Sequence, residues 1–451
     1  MNPNEGAVVL GAGSTGEAFA AALRDNDPHL PITVVERELV GGECSYYACM
    51  PTKALLRPGE ALAAARNVPG SAEAVTGQLD ADRVFWHRDQ VTNGWDDSGQ
   101  VSFLADRDIE LVRGEGQIAG PGLLVVGDRE LRYAKLAIAT GSVPQIPPIP
   151  GLHECPYWTN REAASAREIP RSLIVLGAGP VGCELAQFFN MLGSRVAVVD
   201  IAERVLPRDD PEAAAVLEGA LAADGIRFHL GATIERVDQD GRESSFRLHL
   251  PGQEVLEAER LLVTTGRKAA VEGFGFEKLD MTISKRGIEV DDRLRAADHV
   301  WAIGDVNGIA MFTHVGKYQA RIAAADAAGI DVVADHRAIP AVTFTDPQVG
   351  SVGDTTGDGL VSSSWRVDST ARASTYERPK RHGLLKIFAD ADRGVLVGAV
   401  AVGPEAGEWL GQLTLAVKAK IPIDVLRDTV QPYPTFSEAV FFAVRDLELS
   451  N

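Results

Sequence analysis

Cysteine is scarce in this chain, with only four residues among 451, at positions 44, 49, 155 and 183. That number excludes the disulfide framework of a small secreted domain, so a bridge here would be catalytic or sensory. Positive charge is also short: 44 Lys and Arg stand against 63 Asp and Glu, for a formal net charge of −19. Such a surface repels phosphate backbones and anionic lipid headgroups over a Debye length, so nucleic acid and membrane surfaces are not expected partners. No apolar run reaches the length of a membrane span. The first thirty residues lack the basic start, apolar middle and cleavage site of a secretory signal, and the expected location is the cytoplasm. No segment is low in complexity, although Gly353 to Ser364, rich in Gly, Asp, Ser and Thr, is expected to form a flexible surface loop. Apolar residues, by contrast, are plentiful: at 45% hydrophobic content the chain can bury several cores, and its length suits about three domains.

Half of the cysteines fall in one stretch, Gly41-Gly42-Glu43-Cys44-Ser45-Tyr46-Tyr47-Ala48-Cys49-Met50-Pro51-Thr52-Lys53. On a regular helix the Cα atoms of Cys44 and Cys49 would lie roughly 8 to 9 Å apart, beyond the ~7 Å that a disulfide spans. The two can pair only where the backbone between them leaves the helix, and Met50-Pro51 offers a reason, since proline disfavours helix just before itself. Irregular backbone and the positive charge of Lys53 suit a redox pair, and so small a loop would add little as a staple. Spacing alone leaves open a second reading, two buried thiols that never meet.

Glycine supplies the next signal. The apolar stretch Ala7 to Leu10 runs into Gly11-Ala12-Gly13-Ser14-Thr15-Gly16 and an Ala-rich helix to about Arg24, and a second strand from Ile32 to Val35 ends in Glu36. Strand, tight turn and helix aim backbone N–H groups at a pyrophosphate, and an acid twenty residues on can bind a ribose diol. The unit returns as a strand from Ser172 to Leu176, the turn Gly177-Ala178-Gly179-Pro180-Val181-Gly182, a helix from Cys183 to Leu192, a strand from Arg195 to Val199 and Asp200. There is no other internal repeat. Two such sites imply two dinucleotides, a resident flavin nucleotide and an exchanging nicotinamide nucleotide. Asp200 would accept the 2′-hydroxyl of NADH and repel the extra phosphate of NADPH, although Arg204 and Arg208 lie downstream and could soften that preference.

In its ordered motifs the chain resembles the pyridine nucleotide-disulfide oxidoreductases, flavoproteins that include lipoamide dehydrogenase, glutathione reductase and mercuric reductase. The motifs are the first glycine turn, the Gly-Gly-x-Cys-x4-Cys-x-Pro-Thr-Lys stretch, Ala139-Thr140-Gly141-Ser142-x-Pro144, the second glycine turn, Thr265-Gly266-Arg267 and Ala302-Ile303-Gly304-Asp305. The resemblance implies an α/β fold with two Rossmann-like domains, the NAD domain inserted in the FAD domain, and an α+β C-terminal dimerisation domain. The implied boundaries are 1-150 and 267-337 for FAD, 151-266 for NAD(P) and 338-451 for the interface, with helices near 405-419 and 436-446. It implies a homodimer.

The resemblance also assigns roles. Hydride would pass from NADH by way of FAD to a Cys44–Cys49 disulfide, with Cys49 beside the flavin and Cys44 meeting the acceptor. Lys53 and Glu184 match the family's ion pair beside flavin N5; taken alone, Glu184 is an ordinary first-turn acid. FAD would be held by Gly11, Gly13, Ser14, Gly16, Glu36, Gly42, Gly116, Thr140, Gly141, Ser142, Asp305 and Thr313, and NAD by Gly177, Gly179, Gly182, Asp200 and Gly266. Asp305 matches the ligand of the ribityl chain, with a helix cap as its plainer reading. No metal is expected. His314 reads as a satisfied, partly buried histidine, Cys183 as a small core residue, Cys155 as an unreactive thiol, and Arg267 as structural or nucleotide-adjacent.

Two departures bear on the acceptor. Tyr433, in Tyr-Pro-Thr-Phe-Ser-Glu438, falls where thiol-specific members carry a histidine oriented by the glutamate. At neutral pH only about one tyrosine in a thousand is ionised, so Tyr433 donates a hydrogen bond but is a poor base, which counts against glutathione or lipoamide chemistry. Pro180 stands where some members have a tyrosine over the nicotinamide pocket. No cysteine follows Cys183, so the C-terminal pairs of mercuric reductases and of high-molecular-weight thioredoxin reductases are missing. Soluble transhydrogenases lack the intact pair found here. The acceptor therefore stays open between a disulfide-type small molecule and a quinone, metal ion or second nicotinamide reduced by the flavin directly. A flavin-binding redox sensor is the reading from another class.

Overall fold

The computed structural model describes residues 5–240, 245–376 and 383–449, and they form two compact units. The first unit takes in the described residues of 1–51, 88–145 and 266–335. Its six-stranded sheet runs in the order Arg295–Ala297, Val300–Ala302, Lys135–Ile138, Ala7–Leu10, Ile32–Glu36, Ile109–Arg113. Ala7–Leu10 pairs in parallel on both sides, Ala7 opposite Ile32 and Lys135, and all four of its residues are buried. A strand covered on both faces has no solvent side, which is why this stretch reads as a continuous apolar run. The Ser14–Asn26 helix packs Phe19, Ala20 and Leu23 into the same cluster as Ala320, Ala323 and Ala324 of the Thr313–Ala327 helix. The two backbones approach so closely at Gly316 that a Cβ there would stand 2.0 Å from Thr15 Oγ1.

The second unit takes in 52–87, 146–265 and 336–449. It holds a four-stranded parallel sheet, Arg227–His229, Arg195–Val199, Ser172–Leu176, Arg260–Val263. The helix expected from Cys183 begins three residues earlier, at Pro180, and ends at Met191. Proline suits a first helical position, where its missing N–H costs nothing and its φ is already helical. A five-stranded antiparallel sheet follows in the order Pro340–Thr343, Gln348–Gly353, Val395–Gly403, Leu384–Asp390, Leu360–Arg366. Helices Gly411–Ala419 and Glu438–Arg445 close over it through Leu413, Ala416, Val440 and Val444. The surface loop expected from 353 to 364 is shorter than its composition suggested. A strand begins at Leu360, paired opposite Asp390, and its exposed Ser362, Ser364 and Arg366 alternate with partly buried Val361, Ser363 and Trp365. Period-two burial on an edge strand outweighed the serine content. Among the described residues no helix is long and apolar enough to cross a membrane.

Candidate active site

Within the first unit, the glycine turn is shaped by contacts that only glycine permits. Gly11, at φ +100°, would place a Cβ 2.4 Å from the Ala139 carbonyl oxygen, and Gly16 would place one 1.9 Å from Gly11 O. Gly13 differs, because a Cβ there would meet nothing within 4 Å. It caps the Ser14–Asn26 helix without any side-chain hydrogen bond, and an uncapped helix N-terminus can offer an anion its first N–H groups. Glu36 braces the turn, its carboxylate accepting from Ala12 N at 2.8 Å and from Glu38 N at 2.7 Å. The second unit repeats the device. Gly177 (φ +108°) and Gly182 would collide with Thr264 O and Gly177 O, Gly179 faces open space, and Asp200 accepts from Ala178 N at 2.6 Å and Ala202 N at 2.8 Å. Thr264, which sequence reasoning passed over, secures this turn: its hydroxyl donates to Leu176 O at 2.9 Å and lies 3.1 Å from Gly177 O. Gly266 is not brought to that turn within one unit; it groups with the first, its carbonyl accepting from Gln145 N.

The cysteine stretch is sewn to the first turn. Gly41 N donates to Ala12 O at 2.7 Å, Ser14 Oγ donates to Gly41 O at 3.3 Å, and a Cβ on Gly42 would stand 2.9 Å from Gly13 Cα. Cys44 lies in the short Gly42–Tyr46 helix and Cys49 opens the Cys49–Asn67 helix, so the break falls at Tyr47 and Ala48. Departure from a regular helix was expected, but not for the reason first given. Met50 and Pro51 sit in the first turn of the second helix, where the N–H groups have no intrahelical partner and a proline is tolerated. Cys44 and Cys49 are in the dithiol form, with no bond between the sulfurs. Cys49 Sγ is 3.4 Å from Thr313 Oγ1. Cys44 is pulled from the ordinary thiol range to about 6, first by a hydrogen bond with Cys49, then, against the cost of burial, by Thr313, Ser14 and the charge of Lys317.

Around the Ser142 strand, Ser142 Oγ donates to Asp305 at 2.6 Å, and Arg267 donates to Ser142 Oγ at 2.7 Å and to Ser142 O at 2.8 Å. Burial holds the Asp305 carboxyl above its usual range, opposed by Ser142 and Arg267. Arg267 also lies 3.8 Å from Glu43, which links the cysteine stretch to this network. Thr140 Oγ1 donates to Ala270 O at 2.8 Å, and Gly141 adopts φ +74° with open space around it. Gly116 is turned instead into the core, where a Cβ would lie 2.6 Å from Leu10 Cδ1.

In the second unit Lys53 and Glu184 form an ion pair at 2.7 Å. Glu184 is buried, and its other oxygen accepts from Phe344 N at 2.8 Å, while the Lys53 ammonium lies 4.7 Å above the Phe344 ring. One turn along the helix, Gln187 holds both the N–H and the carbonyl of Asp346. Phe344 and Gln187 escaped the sequence reading, since nothing in their local sequence marks them. Tyr433 is 77% exposed and precedes a cis proline, whereas Glu438, opening the last helix, has one buried carboxylate oxygen without a hydrogen-bond partner. Cys183 is fully buried, its thiol pushed up by that burial. Cys155 is half-buried and likewise pushed up. His314, expected to be partly buried, is exposed and stacks on Phe312 at 5.2 Å.

Residues 6–327 match the pyridine nucleotide-disulphide oxidoreductase family, and residues 339–443 match that family's dimerisation domain. The chain belongs to this family. It is an FAD-dependent oxidoreductase that uses a pyridine nucleotide, with a mixed α/β fold and a C-terminal dimerisation domain. Its sequence is 31% identical over 446 residues to a mercuric reductase of Staphylococcus aureus, covering 96% of this chain and 81% of that protein. It is 32% identical over 456 residues to a dihydrolipoyl dehydrogenase of Thermus scotoductus, covering 98% and 96%. Among solved structures it is similar to LpdA from Mycobacterium tuberculosis, with a TM-score of 0.87, 25% identity and coverage of 98% and 99%. It is also similar to the Cu(II) complex of the flavoprotein disulfide reductase RclA from Escherichia coli, with a TM-score of 0.86, 25% identity and 99% coverage of both chains. The open space at Gly13, the uncapped helix behind it and the braced carboxylate of Glu36 fit a dinucleotide of the kind this family carries.

Proposed function

We propose that this oxidoreductase takes hydride from NADH and delivers the electrons through Cys44 and Cys49 to a small acceptor. The observation that carries the reading is the paired thiol site, seated on the first glycine turn and acidified by Cys49, Thr313, Ser14 and Lys317. FAD, the family's hydride carrier, would be held by the Gly11, Gly13 and Gly16 turn with Ser14, Gly42, Glu36, Thr140, Gly141, Ser142, Asp305 and Thr313 around it, and its domain would span 1-150 and 267-337. The pyridine nucleotide would occupy the second turn in a domain from 151 to 266. By the family pattern Lys53, paired with Glu184 at 2.7 Å, would supply a positive charge that favours a reduced, anionic flavin. Residues 338-451 would join two copies into a homodimer, which the dimerisation-domain match supports. The cytoplasm remains the proposed location.

NADH is the proposed nucleotide because the Asp200 carboxylate is fixed to the turn at Ala178 N while the Arg204 guanidinium is occupied by the carbonyls of Pro207 and Asp209. A 2′-phosphate set against that carboxylate costs at least ~1.4 kcal/mol, or about tenfold. Rapid-mixing rates of flavin reduction at varied NADH and NADPH should therefore differ tenfold or more in their half-saturation. Equal values would mean that Arg208 takes the phosphate.

The acceptor is proposed to be one that needs no histidine base. Tyr433 would cycle a proton poorly, so oxidised glutathione and lipoamide should be slow, and a quinone faster. A soft metal ion is the second reading, favoured by the low-lying thiol pair and by the mercuric reductases and Cu(II)-bound RclA among the relatives. An acceptor panel on wild type and Tyr433→His decides between them. The histidine variant should gain disulfide activity several-fold, because the unpartnered Glu438 oxygen is available to orient an imidazole. Wild-type disulfide turnover of about 10 per second, unimproved in the variant, would mean that another group handles the proton.

A further inference from the structure

The backbone is strained in one place beside the cysteine stretch. Asn93, Gly94 and Trp95 take φ values of +49°, +60° and +63°, three successive residues in the left-handed region. A glycine adopts that region freely, whereas a tryptophan does so at a cost and only where its surroundings hold it there. Trp95 is held on two sides: the guanidinium of the fully buried Arg88 lies 5.0 Å from its ring centroid, and its indole Nε1 donates to Tyr46 O at 3.1 Å.

That carbonyl belongs to the chain between the two cysteines. Tyr46 ends the short helix that carries Cys44, just before the break at Tyr47 and Ala48. In an unbroken helix the Tyr46 carbonyl would accept from Met50 N, four residues on, and Cys44 and Cys49 would stand too far apart to bond. Here it accepts from Trp95 instead. The Tyr46 side chain is fastened as well: it is buried, its hydroxyl donates to Gln100 Oε1 at 3.0 Å, and its ring packs on Gly41, where a Cβ would stand 3.1 Å from Cε2. Between Trp95 and Gln100, Asp97 accepts from Val40 N at 2.7 Å and pairs with Arg113, which also donates to Glu38 O. The segment 93–100 thus grips the cysteine stretch on both sides of Cys44.

We propose that Trp95, assisted by Gln100, is a positioning residue for the redox pair, holding the backbone between Cys44 and Cys49 out of a continuous helix so that the bond between the sulfurs can close. The inference rests on the redox role proposed for the pair. Closure forms one S–S bond at the expense of two S–H bonds, and two electrons and two protons pass to the oxidant. In the disulfide form the break is compulsory, because the bond cannot span a regular helix. In the dithiol form it is not, and a Tyr46 carbonyl released by Trp95 gains Met50 N as a helical partner. Loss of the clamp therefore favours the dithiol, and a neutral hydrogen bond is worth a factor of about five in such an equilibrium.

The test equilibrates the full-length flavoprotein, without oxygen, in mixtures of reduced and oxidised dithiothreitol, the oxidised form taking the two electrons and two protons. After an acid quench the free thiols are alkylated, and the closed fraction of the Cys44–Cys49 pair is read by mass spectrometry. Trp95→Phe keeps a ring and loses the N–H, and should need about a fivefold higher ratio of oxidised to reduced dithiothreitol for half-closure. Tyr46→Phe, which loses only the hydroxyl bonded to Gln100, should shift in the same direction and reads the same clamp where Trp95→Phe does not fold. Trp86→Phe, at an exposed tryptophan of the Ala81–Val91 helix, should titrate with wild type. A general loss of stability would lower Tm without moving the ratio. An unmoved Trp95→Phe or, where that variant does not fold, an unmoved Tyr46→Phe overturns the inference and leaves the proposed function standing, as does easier closure in either or an equal shift in Trp86→Phe. A wild-type pair that closes in none of the mixtures overturns both.

Discussion

Cys44→Ser is expected to lower turnover of a disulfide acceptor by about a thousandfold or more, ~4 kcal/mol of transition-state stabilisation, while NADH still reduces the flavin at the wild-type rate. A serine hydroxyl in the same place cannot form the mixed disulfide. Nor can it answer the hydrogen bonds of Cys49, Thr313 and Ser14 with a stable anion, as the acidified thiol does. The second glycine turn and Asp200, proposed to serve the nicotinamide half of the cycle, are left untouched by the substitution. Cys49→Ser should also stop disulfide turnover, but by removing the sulfur that closes the internal bridge. Stopped-flow reduction by NADH and steady-state assays with a small disulfide and a quinone separate the two halves. Retention of full disulfide turnover in Cys44→Ser would show that electrons reach that acceptor without the pair.

The second large effect is expected from a single methyl group in either glycine turn. Gly182→Ala would place its Cβ 1.9 Å from Gly177 O and 2.8 Å from Thr264 Oγ1, and Gly16→Ala would place one 1.9 Å from Gly11 O. Neither contact can be relieved by rotating a flexible side chain, because the oxygens at 1.9 Å belong to the backbone of the turn itself. Overpacking of this kind costs about 1–3 kcal/mol, roughly tenfold to a hundredfold in binding. The two variants should lose different things. Gly182→Ala should keep its flavin and show a tenfold to hundredfold higher half-saturation for NADH, whereas Gly16→Ala should be purified with much of its flavin missing. Absorbance at the flavin band together with NADH titration gives both readings. Loss of the same cofactor in both variants would reverse or merge the assignment of the turns.

These two experiments draw on different layers of information. The turns were legible almost to the residue, and the strands Ala7–Leu10, Ser172–Leu176 and Arg195–Val199 lie where the sequence placed them. A strand, turn and helix are encoded within about thirty residues, and each turn glycine answers a clash with backbone close by. Local signals also misled where two patterns competed. The Gly, Asp, Ser and Thr content of Gly353 to Ser364 suggested a loop where a strand begins at Leu360, and Pro51 was credited with a helix break that lies at Tyr47 and Ala48.

What the sequence by itself determined, then, is the α/β architecture, the two glycine turns with their terminal acids, and a closely spaced pair of cysteines whose meeting its spacing left open. It also held Lys53 and Glu184, which only family resemblance could join. What tertiary structure alone decided is the chemistry around those groups. Thr313 reaches Cys49 across 264 residues, and Glu184 meets Lys53 across 131 and Phe344 across 160. Turn geometry depends on the dihedral preferences of adjacent residues and is written locally. The ionisation of a thiol or a carboxyl depends on burial and on charges within a few ångströms, and the packing of distant segments sets both.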